Sequence, residues 1–270
     1  MTLRLVTWNI RKGGSRRQAA IASVLRGLDP DIAILQEATN PAVVAWVANE
    51  IGARSVTCAP GRSVAILGRV PLGDTRWHPL PTGRSFLELA LPASRLRILG
   101  VHLTAGLSGR GEHRRAREMD ALLAVAGGSP GSERTIIAGD LNAIAPSDSP
   151  AISSLPLWIR AMLRADGGIG TEVVEHALAA GFIDAFRRLH PDDPGPTLPA
   201  VRPTVRLDYF LLGPDLMAGT VRCDLGGLDP GLLAVASDHL PLVLVLNPDS
   251  HAAEGPGTAM AAADAPAANS

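Results

Sequence analysis

Short apolar runs, each bounded by a polar side chain able to bind metal or move a proton, recur along this chain up to Leu246. LRLVTW leads to Asn9, IAILQ to Glu37, LRILGV to His102, and TIIAG to Asp140 and Asn142. Later, Asp208 stands before YFLL, and Asp238 and His239 stand before LPLVLVL. Runs of this kind read as strands buried in a sheet, and a buried sheet needs helices to cover it. The segments between them supply those helices. Ile21, Val24, Leu25 and Leu28 recur at helical spacing within 16–28, and Met119, Leu122, Leu123 and Ala126 within 113–126. Residues 41–51 form a third helix, with Asn40 as its cap and Pro41 at its first position, and 173–181 a fourth. Strands alternate with helices early and pair locally later, which predicts a mixed-sheet α/β fold.

With 270 residues and 46% hydrophobic content, one large domain with a substantial core is expected, spanning 1–247. Residues 248–270 are an Ala/Pro/Gly-rich tail too poor in large apolar side chains to offset ordering, and are expected to be disordered. Residues 144–170 read as a weakly patterned insertion with one short helix at 157–163, placed to form part of a substrate rim. The net charge of −1 excludes an overall basic field. Of the 25 basic residues only Lys12 is lysine; a GC-rich coding sequence explains that bias more simply than phosphate gripping does. Cys58 and Cys223 fit no zinc spacing and read as buried free thiols. The chain opens on a strand without a charged leader, and no run approaches a membrane span, so a cytoplasmic protein is expected.

The polar residues that bound the strands carry the chemistry. In open α/β sheets, ligands gather at the carboxyl ends of strands. Glu37 follows a buried strand, where a carboxylate is costly unless solvated, paired or bound to metal. Asp140 and Asn142 follow a glycine that permits a tight turn; Asp140 either binds the metal or orients the attacking water, and Asn142 donates to a phosphate oxygen. Asp208 is placed to orient the His239 ring and raise its basicity. His102 donates to, or protonates, a phosphoryl group, and Glu88, the acidic residue of the strand SFLELAL, is a candidate partner for it. Asn9 organises the site. Arg114 alone of GRGEHRRARE is assigned to a substrate phosphate; the other arginines there are read as a solvated helix face. His78, His113, His176, His190 and His251 have no motif around them and read as surface or loop residues.

The set TWNIR, LQE, VHL, GDLNA, RLDYFLL and SDHLPL, with GFIDAFRRLHP at 181–191, resembles the endonuclease/exonuclease/phosphatase superfamily, including its exonuclease III-like and deoxyribonuclease-like members. The resemblance spans residues 2–246. It implies a four-layer α/β sandwich, two packed mixed β-sheets flanked by helices, and phosphoester hydrolysis by in-line attack of water with Mg²⁺ or Mn²⁺. It makes Glu37 the main metal ligand, with Asn9 and Asp238 beside it. Asp140 positions or deprotonates the water, Asn142 and His102 hold phosphate oxygens, and His239 backed by Asp208 stabilises the transition state. Arg11 stands where repair nucleases carry an acidic residue, and His102 where many abasic-site enzymes have tyrosine.

These readings predict a metal-dependent phosphodiesterase of nuclease type, a monomer acting on DNA or RNA. Two rivals stand beside it. One is a phosphatase or phosphodiesterase on a small molecule or lipid headgroup, favoured by the near-neutral charge and 3% aromatic content. The other is a non-catalytic binding module on the same scaffold.

Overall fold

The computed structural model describes residues 2–106, 109–127, 134–150 and 170–250, together with Ser153, Leu157, Arg160 and Ala161. Its strands and helices follow in the order β1 (Leu3–Asn9), α1 (Gln18–Leu28), β2 (Ile32–Gln36), α2 (Pro41–Glu50), β3 (Ser55–Thr57), β4 (Val64–Gly68), β5 (Thr75–Pro79), β6 (Ser85–Leu91), β7 (Leu96–His102) and α3 (Gly109–Gly127). Then come β8 (Thr135–Asp140), α4 (Glu172–Ala179), β9 (Ile183–Asp184), α5 (Ala185–Leu189), β10 (Asp208–Leu212), α6 (Pro214–Met217), β11 (Thr220–Asp224), α7 (Pro230–Ala236) and β12 (Leu242–Leu246).

The strands form two six-stranded mixed sheets, ordered β11-β12-β1-β2-β4-β3 and β5-β6-β7-β8-β10-β9. In the first, β1 is parallel to β2 and antiparallel to β12. In the second, β8 is parallel to β7 and antiparallel to β10. Side chains alternate along a strand, so each strand serves two layers. Leu3 and Leu5, Ile32 and Ile34, Ile136 and Ala138, and Phe210 and Leu212 fill the space between the sheets. Val6 and Trp8 face outward under α1, α2 and α7, while Val101, Ile137, Tyr209 and Leu211 face outward under α3 and α4. The result is a four-layer sandwich of helices, sheet, sheet and helices. Each fully buried Leu or Ile in the middle layer contributes roughly 1.5–3 kcal/mol. Truncating one to alanine costs about 2–5 kcal/mol, because neighbours relax only partly into the hole.

The same alternation positions the polar ends. Continuing 3-5 to 7-9, 32-34 to 36, 136-138 to 140 and 212-210 to 208 turns Asn9, Gln36, Asp140 and Asp208 inward at one end of the sandwich. Gln36 is spent inside the first sheet, where its Nε2 donates to Thr7 Oγ1 at 3.0 Å. Gly139 makes the approach of β8 to β7 possible: a Cβ there would lie 2.0 Å from the Val101 carbonyl oxygen.

Several elements differ from expectation. α1 begins at Gln18 rather than residue 16, because Arg16 takes a left-handed φ of 63° that no helix accommodates. β3 and β5 are short edge strands with mostly half-exposed or exposed side chains, so they carry no buried run to read. In α3, Arg115 is not on a solvated face: it is buried with Glu112 and Glu118. Arg115 donates to the Thr104 carbonyl at 3.1 Å and to Glu112 at 2.7 Å, and Glu118 accepts from Thr104 N at 2.7 Å. These bonds tie α3 to the chain just beyond His102. Cys58 and Cys223 are both free thiols, half-buried and buried. The helix expected at 157–163 lies largely outside the described residues, as does the tail beyond Ser250. Among the described residues, no helix is long and apolar enough to cross a membrane.

Candidate active site

Three polar residues share one row across the second sheet. His102 on β7 is in register with Asp140 on β8, and Asp140 with Asp208 on β10. All three are buried. His239, in the turn before β12 of the other sheet, closes the row: its Nδ1 lies 2.9 Å from Asp208 Oδ2 and its Nε2 3.9 Å from Asp140 Oδ2. His102 Nε2 stands 3.8 Å from the same Asp140 oxygen. Asp140 Oδ2 therefore faces two imidazoles, while Oδ1 accepts from Asn142 N at 2.9 Å.

The first sheet supplies the opposite wall. Asn9 Nδ2 donates to Asp140 Oδ2 at 2.9 Å and to Glu37 Oε1 at 3.2 Å, so one carboxamide spans two carboxylates from different sheets. Asn9 Oδ1 accepts from Arg11 N at 2.9 Å, and Glu37 Oε2 from Lys12 N. Asp238 lies on the rim, 3.2 Å from Arg11 Nε. Arg11, Lys12, Glu37 and Asn142 all have φ between 46° and 55°, a conformation that costs non-glycine residues of order 1 kcal/mol or more each. Their clustering marks backbone strain held at the site. Ser237, Trp8 and Ser63 were not readable as site residues. Ser237 Oγ donates to the Asn9 carbonyl at 2.6 Å, and Trp8 Nε1 to the His239 carbonyl at 2.8 Å. Ser63 Oγ lies 3.3 Å from His102 Nδ1.

The two imidazoles are pushed in opposite directions. Burial holds His102 below its ordinary value against the pull of Asp140, and nearby Arg84 adds to the effect. Burial also opposes charge on His239, but Asp208, Asp140 and Asp238 outweigh it and raise the ring to about 10. Asp208 is held above the usual carboxylate range by its burial, with Asp140 adding to the effect. Three carboxylates face the ring and favour its protonated form. Groups driven apart in this way are suited to distinct roles in proton transfer.

The donor set fits a hard divalent cation. Glu37 is half-exposed and, with Asp140 and the rim carboxylate of Asp238, offers oxygen ligands of the kind Mg²⁺ and Mn²⁺ take. Asp140, Asp208 and His239 also present ligand atoms within 4.8 Å of one another. With Nδ1 bonded to Asp208 and the ring raised to about 10, His239 is suited to donate to an anion at Nε2.

Glu88 does not partner His102. Its two oxygens are taken by His78 Nε2 at 2.6 Å and Arg97 Nε at 2.9 Å. As a neighbour of inward-facing Leu87 and Leu89, it points to the other side of β6, away from His102. His78, expected at the surface, is instead part-buried in β5 and stacked on Phe86 at 4.8 Å. Arg114 is exposed and lines a hollow with Thr104, two residues beyond His102.

A second buried cluster supports the site from behind. Arg206 is buried and grips Asp184 and Asp148, its Nη2 lying 2.6 Å from Asp184 Oδ2 and 2.8 Å from Asp148 Oδ1. Arg187 adds a bond to Asp148 at 2.8 Å, and Tyr209 donates to the Ala143 carbonyl at 3.0 Å. The segment leaving Asp140 is thereby fixed to β10 and α5.

The family model described as Endonuclease/Exonuclease/phosphatase family matches residues 6–239. The chain belongs to this family. Family membership makes it a metal-dependent phosphoric ester hydrolase of the nuclease and phosphatase type. None of the curated proteins compared matches it in sequence. Among solved structures it is similar to an endonuclease/exonuclease/phosphatase from Beutenbergia cavernae, at 21% identity and a TM-score of 0.69 over 91% of this chain and 71% of that one. An AP endonuclease from Archaeoglobus fulgidus gives 21% identity and 0.69 over 91% and 99%. The 3′ phosphatase NExo from Neisseria, bound to a product DNA hairpin, gives 19% and 0.67 over 91% and 99%. These likenesses establish the four-layer fold.

Proposed function

We propose that this family member is a Mg²⁺-dependent phosphodiesterase of nuclease type. The observation that carries the reading is the convergence on Asp140 Oδ2 of His102, His239 and Asn9, three side chains drawn from both sheets. Glu37, with Asn9 and Asp238, holds the cation, for which Mn²⁺ is the alternative to Mg²⁺. When bound, it neutralises charge on the phosphoryl oxygens. Asp140 orients the attacking water and takes its proton. Asn142 and neutral His102 donate to non-bridging oxygens. Protonated His239, held by Asp208, balances the charge that grows in the transition state and relays a proton to the leaving oxygen. Removing one such donor costs roughly 100- to 1,000-fold in rate.

DNA is the substrate class suggested by the AP endonuclease and by the Neisseria phosphatase with its DNA hairpin. The net charge of −1 favours a second reading, a small phosphoester. Hydrolysis of bis-p-nitrophenyl phosphate and p-nitrophenyl phosphate, beside nicked, abasic and single-stranded DNA, separates the two. Asp140→Asn serves as the control. DNA cleavage lost in that variant supports the nuclease. Activity confined to the small esters overturns it.

A further inference from the structure

Beside the catalytic row lies a cavity that both sheets build. The loop entering β4 and the β5–β6 turn enclose about 300 Å³, lined by Gly61, Arg62, Ser63, Gly83, Arg84 and Ser85. Among the described residues, the lining holds two guanidinium groups, two hydroxyls and no carboxylate. Two of its walls touch the catalytic histidine: Ser63 Oγ lies 3.3 Å from His102 Nδ1, and Arg84 Nη1 donates to the His102 carbonyl at 3.4 Å. Arg62 lies over the Trp77 ring, 5.4 Å from its centroid, which restrains the guanidinium without neutralising it.

Elsewhere in the protein Arg26, Arg69, Arg97, Arg115 and Arg206 each hold a carboxylate. Among the described residues, Arg62 and Arg84 form no ion pair. Half-buried forks, held in place and left without an anion, are preorganised to take one. Across the same turn, Pro81 and Thr82 meet Thr104, Arg114 and Arg117 around a second hollow of about 430 Å³, again with no carboxylate among the described lining residues. A small monoester reaches one of these hollows. A strand of linked phosphates reaches both.

We propose that the Arg62–Arg84 cavity holds a phosphate of the substrate other than the one cleaved, so that the scissile ester lies within a nucleic-acid strand passing from His102 over the 81–85 turn. This rests on the phosphodiesterase reading above and adds the substrate's second anchoring point.

The test is strand binding and strand selectivity in Arg62→Ala, Arg84→Ala and Arg62→Lys, with unchanged thermal unfolding as the control for folding. Without divalent metal, fluorescence anisotropy of a labelled single-stranded oligonucleotide is followed across salt concentrations. Each alanine variant is expected to bind roughly tenfold more weakly and to lower the slope of log K against log salt by about 0.7, the value for one lost phosphate contact. The lysine variant keeps the slope, because it keeps the charge. With Mg²⁺, the kcat/KM for the oligonucleotide divided by that for bis-p-nitrophenyl phosphate falls about tenfold, since the small diester carries a single phosphate. Unchanged slope and ratio overturn the subsite, and so does an equal loss on both esters. A wild-type protein that cleaves the small diester yet binds no strand also overturns it. Arginine-dependent binding by a wild-type protein that hydrolyses nothing upholds the subsite and removes the hydrolase reading instead.

Discussion

Asp140 on β8 and Asp208 on β10 are directly opposed cross-strand partners, and both carboxylates are buried. Like charges in that relation repel across the sheet. His239 lies against both, and its charge is what lets them coexist. Asp208→Asn should replace the charged acceptor that orients the ring with a neutral carboxamide and lower the imidazole from about 10 toward its ordinary value. Hydrolysis should fall about 100- to 1,000-fold. The sign for stability follows from the raised value. The raised His239 ring contributes fully below its ordinary value, about 6.5, and that contribution is lost as pH rises from there through about 10. NMR titration of His239 in metal-free wild-type and variant protein checks this, and an unshifted ring would refute it.

Arg206 is predicted to matter for stability before it matters for rate. Its guanidinium grips both Asp148 and Asp184, whose side chains are almost wholly buried. Arg206→Met leaves two buried carboxylates without their main partner and should cost about 3–5 kcal/mol, read by denaturant unfolding. Arg206→Lys keeps the charge but loses the fork that serves both aspartates, so it should fall between the two. A Met variant as stable as wild type would show that Arg187 suffices.

The inward set was legible because strand alternation is a rule of parity. Once Leu3 and Leu5 face the middle layer, Asn9 follows; Ile136 and Ala138 place Asp140 in the same way. Register was not legible, since nothing in TIIAGD says that Asp140 will sit opposite Asp208. Glu88 fails on parity as well: one residue out of step with inward-facing Leu87 and Leu89, it faces His78 and Arg97 rather than His102. The burial of Arg115 could have been read. Glu112, Arg115, Met119, Leu122 and Ala126 form one helical stripe, and a charged pair three residues apart on an apolar face signals a buried ion pair rather than a solvated one. The Arg206 cluster draws on three distant segments, so no local pattern announces it.

Glu88→Gln should leave phosphoester hydrolysis intact, because the residue points away from the row of His102, Asp140 and Asp208. It should lower stability by about 1–2 kcal/mol at neutral pH, because the carboxamide keeps only one acceptor oxygen, uncharged, for His78 and Arg97. Burial alone would raise the Glu88 carboxyl, but those two partners outweigh it and hold it below its ordinary value. A depressed carboxylate stabilises the fold above its unfolded value, about 4.3, and that contribution is lost as pH falls through the lower folded value. The gap in Tm between wild type and variant should therefore be largest near neutrality and close below about pH 4. A gap that widens in acid would refute the assignment.

Glu37 gives the sharpest test of the metal proposal, because its effect is readable without any substrate. Its carboxylate is half-exposed, and the bonds that fix it come from Asn9 Nδ2 and Lys12 N. A cation held there stabilises the folded state by mass action, by about 2.7 kcal/mol at a hundredfold excess over Kd. Mg²⁺ or Mn²⁺ should thus raise the Tm of wild-type protein, and a chelator should reverse the rise and abolish hydrolysis. Glu37→Gln keeps the shape but loses the negative charge, so the rise should need much more metal. It should also relieve charge repulsion with Asp140 in the metal-free state, leaving the variant at least as stable as wild type without metal. Were the Tm of wild type indifferent to both ions, or the variant as responsive as wild type, the cation would have to be held elsewhere, with the Asp140 row the next place to look.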